Sequence, residues 1–249
     1  MKLSSVDKSL QVIEALRKNP QGLSIAELSQ LLGFPPSTIH HILSTFRPYD
    51  YIAQNSETKK YTLGFRFLSI STSILENLDV RKTAYIHLRK LHQKCNEAVH
   101  LSILRNGQVT YVDKIQGSSG LSLATYIGFS TDPHAAAGGK VLLSELAPEE
   151  VKAIYKKRPL KRYGKNTITN ITQLLEELKN IRKQGYAIDN EEYYEGVRCV
   201  AAPIRAGGRI AAALSITGSI FSLTMDRINR ELIGIAIETA RDISSELHW

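Results

Sequence analysis

Cysteine is nearly missing from this chain: only Cys95 and Cys199 occur in 249 residues, and no Cys-x-x-Cys spacing is present. That excludes a disulfide framework and the common structural zinc motifs, and it fits a reducing cytoplasm. Long apolar runs are missing as well. None approaches the roughly 20 residues that cross a bilayer, and the first ten residues lack the apolar core of a signal peptide, so no membrane partner is expected. Neither a Gly-rich phosphate loop nor a nucleophile motif is present. No repeat or low-complexity segment occurs, and a chain 43% apolar and 22% charged has the balance of a folded protein long enough for two domains.

A net charge of +8 favours an anionic partner, but its distribution is uneven. Residues 1–78 carry 8 basic against 6 acidic side chains, and residues 79–249 carry 24 against 18. The densest basic cluster, Lys156, Lys157, Arg158, Lys161, Arg162 and Lys165, surrounds Pro159 and Gly164 and reads as a solvated helix end and loop.

The first sixty residues carry the strongest pattern. Val6, Leu10, Ile13 and Leu16 recur at helical spacing, predicting a first helix that ends at Asn19-Pro20-Gln21-Gly22. Ser24-Ile25-Ala26-Glu27 has the form of a capping box, opening a second helix with Ile25, Leu28, Leu31 and Leu32 inward and Gly33 as its stop. Pro35-Pro36 suits the entry to a third helix over 36–46. There Ile39, Ile42, Leu43 and Phe46 form the buried stripe, which leaves Ser37, Thr38, His40, His41, Ser44 and Thr45 to reach bases or phosphates. A hairpin follows, with strands expected over 51–54 and 59–63, placing Lys59 and Lys60 beside the phosphate backbone. Two short helices, a turn, and a wing describe a winged helix-turn-helix, a reader of the major groove of duplex DNA. Three helices and a hairpin also serve as protein-binding modules, and dimerisation would double the phosphate contacts of so modestly charged a reading head.

Residues 64–78 read as a connecting helix, and residues 79–249 as a second domain. Asp79 is expected to cap a helix bearing Val80, Ala84, Leu88 and Leu91 on one face. The period then shifts to two: 98–104 and 108–113 alternate around Asn106-Gly107, a two-residue hairpin signal. A third strand is expected over 121–126, a short helix over 136–146, and a helix opening at Asn170 and closing at Gly185. A second hairpin turns at Gly207-Gly208, and a last helix spans 224–247. Helices packed on an antiparallel sheet make an α+β domain.

Three segments of it carry chemistry. His134 to Lys140 has little bulk before a helix begins, so a ligand can approach backbone amides there. Asp189 to Cys199 is a polar loop running into a strand. Ser215 and Thr217 send both hydroxyls to one face. Each also has a plain structural reading: a tight helix entry, a solvated loop, and a buried cysteine acting as a small hydrophobe.

Taken together, these segments resemble the isocitrate lyase regulator (IclR) family of bacterial transcription factors over nearly the whole chain. The resemblance rests on Gly22 to Leu28, Pro36-Ser37-Thr38, Leu43 to Phe46 and Tyr61 to Gly64 in the first part. In the second it rests on His134 to Lys140, Thr167-Ile168-Thr169, Gly185 to Glu192, Gly196 to Pro203 and Ser215 to Gly218. It implies a winged helix-turn-helix (1–63), a linker helix (64–78) and a GAF-like effector-binding and oligomerisation domain (79–249), assembled as a homodimer or dimer of dimers. It also implies control of catabolic genes, by repression or activation, through a small organic acid. By position, the acid's carboxylate would meet the amides of Ala137 and Gly138, while Asp189, Glu191, Cys199, Ser215 and Thr217 would line its polar end. No cofactor is implied. His41 stands beside His40 where many members carry an arginine, and Tyr193-Tyr194 are bulkier than is common, so those rings either narrow the pocket, stack on an aromatic acid or cover a dimer surface. Two acidic residues beside an anion require a hydroxylated ligand, an added proton or a shared cation. His134, Asp189 and Cys199 are the candidate metal set, although their spacing matches no strong motif. The competing reading is an enzyme acting on a small acid, with Cys199 as nucleophile and His134 as base; against it, the only obvious nearby cation, Arg198, should point to the other face of its strand.

Overall fold

Ser24 and Glu27 close the expected capping box, the Glu27 amide donating to the Ser24 hydroxyl (3.2 Å) and the Ser24 amide to the Glu27 carboxylate (2.7 Å). This opens α2 (Ile25–Leu32), which Gly33 ends in the left-handed conformation. The computed structural model describes residues 4–117 and 125–247 and divides into two units, Met1–Asn77 and Leu78–Trp249.

In the first unit α1 (Ser4–Lys18), α2 and α3 (Pro36–Phe46) enclose a core with the two-stranded hairpin of β1 (Ile52–Gln54) and β2 (Tyr61–Leu63). Val12, Ala15, Leu16, Leu28, Ile39, Ile42, Leu43 and Ile52 are buried in it. The inward face of α1 differs from the expected one: Val6 and Leu10 are 52% and 57% exposed, and Leu31 of α2 is 58% exposed. Val12, Ala15 and Leu16 supply the i, i+3, i+4 contact instead. Lys59 adopts a left-handed φ of 58°, so the wing's second strand starts at Tyr61 rather than 59. The next helix, α4 (Arg66–Glu76), buries none of its residues.

The second unit is built on a six-stranded antiparallel sheet. Its strands are β3 (Ala98–Arg105), β4 (Gln108–Ile115), β5 (Ser130–Thr131), β6 (Ala187–Asn190), β7 (Val197–Ala206) and β8 (Arg209–Ser219), in the order β5-β4-β3-β8-β7-β6. Both hairpin turns take positive φ at their two central residues, 51° and 71° at Asn106-Gly107 and 55° and 78° at Gly207-Gly208, as the twist of paired strands requires. One sheet face, bearing Val99, Leu101, Val200, Ala202, Leu214 and Ile216, packs on α5 (Asp79–Cys95) and the last helix. That helix begins with α9 (Met225–Arg227), capped by Thr224, passes through a π-helical turn (Ile228–Leu232) and continues as α10 (Ile233–Glu246). The opposite face packs on α6 (Ala137–Leu143) and α8 (Ile171–Gln184), with α7 (Pro148–Lys157) alongside. Asp79 occupies the first position of α5, where its charge favours the helix dipole, while Leu78 stands at the cap without a side-chain hydrogen bond. Most of the strand expected over 121–126 lies outside the described residues, and Thr125 and Tyr126 are not in a strand.

Candidate functional site

Alternation along the sheet sends one set of residues toward α6. Asp189 pairs across the ladder with Cys199, Cys199 with Thr217, and Ser215 with His100. Together with Tyr111, Thr131 and the start of α6 at Ala136, Ala137 and Gly138, they line a cavity of about 40 Å³. Aromatic rings complete the wall: Tyr193 and Tyr194 line it, Tyr163 stacks behind Tyr193 at 4.5 Å, and Tyr111 stacks on Phe129 at 6.0 Å. Of the residues singled out in the sequence, Ala137, Gly138, Asp189, Cys199, Ser215 and Thr217 all face this one space.

Glu191 does not join them. Its backbone takes a φ of 59°, and its carboxylate accepts from the Gly196 amide (3.0 Å) and lies 3.9 Å from the Lys165 ammonium. It therefore closes the 191–196 loop from outside the cavity. That contact also gives one member of the basic cluster a partner.

Among the described residues no Lys or Arg lines the cavity. Donors come from elsewhere. No side chain caps α6, so its first-turn amides are unpaired by the helix itself. Among the described residues the buried Thr131 hydroxyl has no hydrogen-bond partner. Burial, and then the Lys114 charge, drop the His100 imidazole to a pKa of about 3; it is a neutral ring bonded to the Thr125 hydroxyl (3.0 Å) and 3.4 Å from that of Thr217. Asp189 is 3% exposed, and its carboxylate accepts from the Glu192 amide at 2.7 Å. Burial and the neighbouring Glu192 carboxylate push it up to about 7.

Cys199 has the opposite of an activated thiol. Burial and the adjacent Asp189 push it well above its ordinary value. Arg198 points away, donating to the Asn190 side chain (2.7 Å) and the Leu223 carbonyl (3.1 Å). His134 lies outside the cavity lining, with Nε2 against the Lys161 carbonyl (2.9 Å). Among the described residues no cluster of three or more His, Cys, Asp or Glu could hold a metal ion.

Sequence reasoning missed Lys140. This residue of α6 is 1% exposed, and its ammonium donates to Glu192 (2.6 Å), the Ile188 carbonyl (2.7 Å) and Glu177 (3.3 Å). It pins the loop carrying Tyr193 and Tyr194 to the helix that starts at the cavity. His100, Tyr111 and Thr131 were missed as well; the period-two pattern placed His100 and Tyr111 on strands without showing which face lines the cavity.

In the first unit the six polar residues of α3 divide into two stripes. Thr38, His41 and Thr45 face a groove shared with Val6 and Leu10 of α1, while Ser37, His40 and Ser44 are exposed beside them. Both the Ser44 and Thr45 hydroxyls donate to the His41 carbonyl (2.9 and 2.8 Å), which leaves their lone pairs outward. Lys59 is at the tip of the wing, but the Lys60 ammonium is paired with Glu27 at 3.0 Å.

A helix-turn-helix with a wing, followed by an α+β unit holding a small cavity lined by hydroxyls and aromatic rings, defines a DNA-binding transcriptional regulator. The chain belongs to the IclR family: residues 72–245 match the model "Bacterial transcriptional regulator IclR C-terminal" and residues 5–56 match "IclR helix-turn-helix domain". It is 34% identical to the HTH-type transcriptional regulator KdgR of Dickeya chrysanthemi over 248 residues, covering 99% of this chain and 81% of that protein. It is also similar to the Thermotoga maritima IclR structure, with a TM-score of 0.84, 28% identity and complete coverage of both chains. An IclR homologue from Microbacterium hydrocarbonoxydans, solved with 4-hydroxybenzoate, shares the fold at a TM-score of 0.83 and 21% identity, with 98% of each chain covered. These relatives and domains are DNA-binding regulators, not enzymes, and the fold is that of the IclR structures. Among the described residues no helix is long and apolar enough to cross a membrane.

Proposed function

We propose that this regulator is gated by a small organic acid. On this reading the acid occupies the cavity formed by Ala137, Gly138, Asp189, Cys199, Ser215 and Thr217, with Glu191 shaping the loop behind it. Its occupancy sets the affinity of the winged helix-turn-helix for an operator controlling catabolic genes, in the cytoplasm where the DNA lies. Operator contact is assigned to Ser37, Thr38, His40, His41, Ser44 and Thr45 at the bases or phosphates, and to Lys59 and Lys60 at the backbone.

The observation that carries the reading is a cavity that gathers the Thr131, Ser215 and Thr217 hydroxyls at the start of α6, with no Lys or Arg in its wall among the described residues. Amides at the start of α6 that the helix itself leaves unpaired, together with the hydroxyls of Thr131, Ser215 and Thr217, suit a carboxylate. A cavity of about 40 Å³ holds only a few waters, so it suits a short acid; a larger one requires Tyr193 and Tyr194 to swing aside. For the homodimer or dimer of dimers, the support is α4, whose Leu68 and Ile74 are 60% and 52% exposed, an apolar face on a helix that buries nothing.

Calorimetric titration of short oxo and hydroxy acids into the full chain and into a Ser215→Ala/Thr217→Ala variant tests the site. The expected result is affinity at least tenfold weaker in the variant with operator binding intact. Equal acid affinity in both proteins contradicts it.

A further inference from the structure

Among the described residues Asp189 is the only carboxylate in the cavity wall, which raises the question of how it tolerates an anionic ligand. Its surroundings are defined on every side. The 191–196 loop brings the Glu192 carboxylate and the Tyr193 ring, β7 brings Cys199, β4 brings Tyr111, and β3 brings the neutral His100. From α6 comes Lys140, but its ammonium is already shared by Glu192, Glu177 and the Ile188 carbonyl. Among the described residues Asp189 makes no ion pair; its carboxylate accepts from the Glu192 amide at 2.7 Å and from the Tyr193 amide, and the Cys199 thiol is hydrogen-bonded to it.

Two carboxylates forced together in so small a space, away from solvent and with the Lys140 ammonium already held by Glu192 and Glu177, repel strongly. We infer that Asp189 meets the effector as a neutral acid: a ligand anion enters, one proton passes from solvent to the Asp189 carboxylate, and the new hydroxyl donates to a second oxygen of the ligand. The inference rests on the effector-site reading above and sharpens its chemistry. Charge balances without any cation: the ligand keeps its single negative charge on the α6 amides and the hydroxyls, and the protein gains one proton. The Asp189 carboxyl, held at about 7 by burial and by Glu192, accepts that proton readily near neutral pH.

Isothermal titration of the full-length protein with pyruvate and lactate, with acetate and propionate for comparison, tests this at pH 6 and pH 8 in two buffers of unlike ionisation enthalpy. Proton uptake should approach one per ligand at pH 8 and be small at pH 6. Affinity should fall by about tenfold per pH unit above 7. Asp189→Asn, with its fold checked by circular dichroism, should show no proton uptake and a flat pH profile. Saturable binding by the wild type without proton uptake at pH 8 overturns the inference while leaving the acid site standing, and so does an unchanged pH slope in Asp189→Asn. Absence of binding by every acid at both pH values overturns the site reading itself and this inference with it.

Discussion

The Lys140 ammonium lies 2.6 Å from the Glu192 carboxylate, with both side chains buried. This pair joins α6, whose first turn lines the cavity, to the loop whose tyrosines wall it. Removing one partner from a buried pair leaves an uncompensated charge, which typically costs about 3–5 kcal/mol. Lys140→Met should therefore lower the thermal midpoint sharply, and Lys140→Met/Glu192→Leu should recover part of the loss. A double variant no better than the single one would mean that Glu192 is not the main partner.

Gly138 and Gly139 stand side by side but should respond differently. A Cβ at Gly139 would sit 2.3 Å from the Pro133 carbonyl oxygen, which is backbone, whereas one at Gly138 would lie 2.9 Å from the Ser102 hydroxyl, which can turn. Gly139→Ala is expected to displace the start of α6 and weaken acid binding more than tenfold, and Gly138→Ala to do so less. Paired titrations with one acid check the order.

Stability should depend on pH in opposite ways for two cavity residues. Asp189 rises from 3.8 to about 7 on folding, so the folded state holds its proton longer. Stability associated with it is greatest below pH 4 and is lost as pH rises to 7, by up to about 4 kcal/mol at 1.36 kcal/mol per pKa unit. His100 falls from 6.5 to about 3, so its neutral burial favours the folded state above 6.5 and loses that advantage as pH drops toward 3. The two effects overlap between pH 4 and 6.5. The difference in unfolding midpoint between wild type and Asp189→Asn, followed from pH 4 to 8, isolates the first: Asp189→Asn should gain relative stability as pH rises.

Much of this was legible because local rules and tertiary structure agree. The capping box at Ser24, the turns at Asn106-Gly107 and Gly207-Gly208, and the inward stripes of α3 and α5 need no distant partner to be recognised. The failures lie where distant residues decide. Nothing local marks Lys140 as buried, since its carboxylates come from α8 and the 191–196 loop. Glu191 sits within the motif that lines the cavity, but its left-handed backbone turns the carboxylate to Gly196. Val6 and Leu10 have helical spacing with Leu16, yet the short α2 and α3 cover only the later turns of α1.

On the DNA side, Lys59 and Lys60 should not be equivalent. Lys59→Ala should weaken operator and random DNA alike and reduce the salt slope by about one. Lys60→Ala should do less, because Glu27 already neutralises that ammonium; Glu27→Gln should raise nonspecific affinity while shortening the life of α2 through loss of the capping carboxylate. Anisotropy against salt concentration measures both slopes.

Cys199 should be chemically quiet. With its thiol pushed well above the ordinary range, alkylation by iodoacetamide at pH 8 should be far slower than for a free thiol, and Cys199→Ser should keep operator affinity. Rapid alkylation would place an unrecognised cation at the site.

The central claim is that acid occupancy changes operator affinity. Fluorescence anisotropy of the full chain on the intergenic DNA upstream of its own gene, against scrambled DNA at one salt concentration and with or without short oxo and hydroxy acids, tests it most directly. Preference for the native DNA that shifts at least fivefold with an acid, and not with that acid on Ser215→Ala/Thr217→Ala, is the predicted result. Native-site binding that no acid alters, although calorimetry shows the cavity filled, would contradict it.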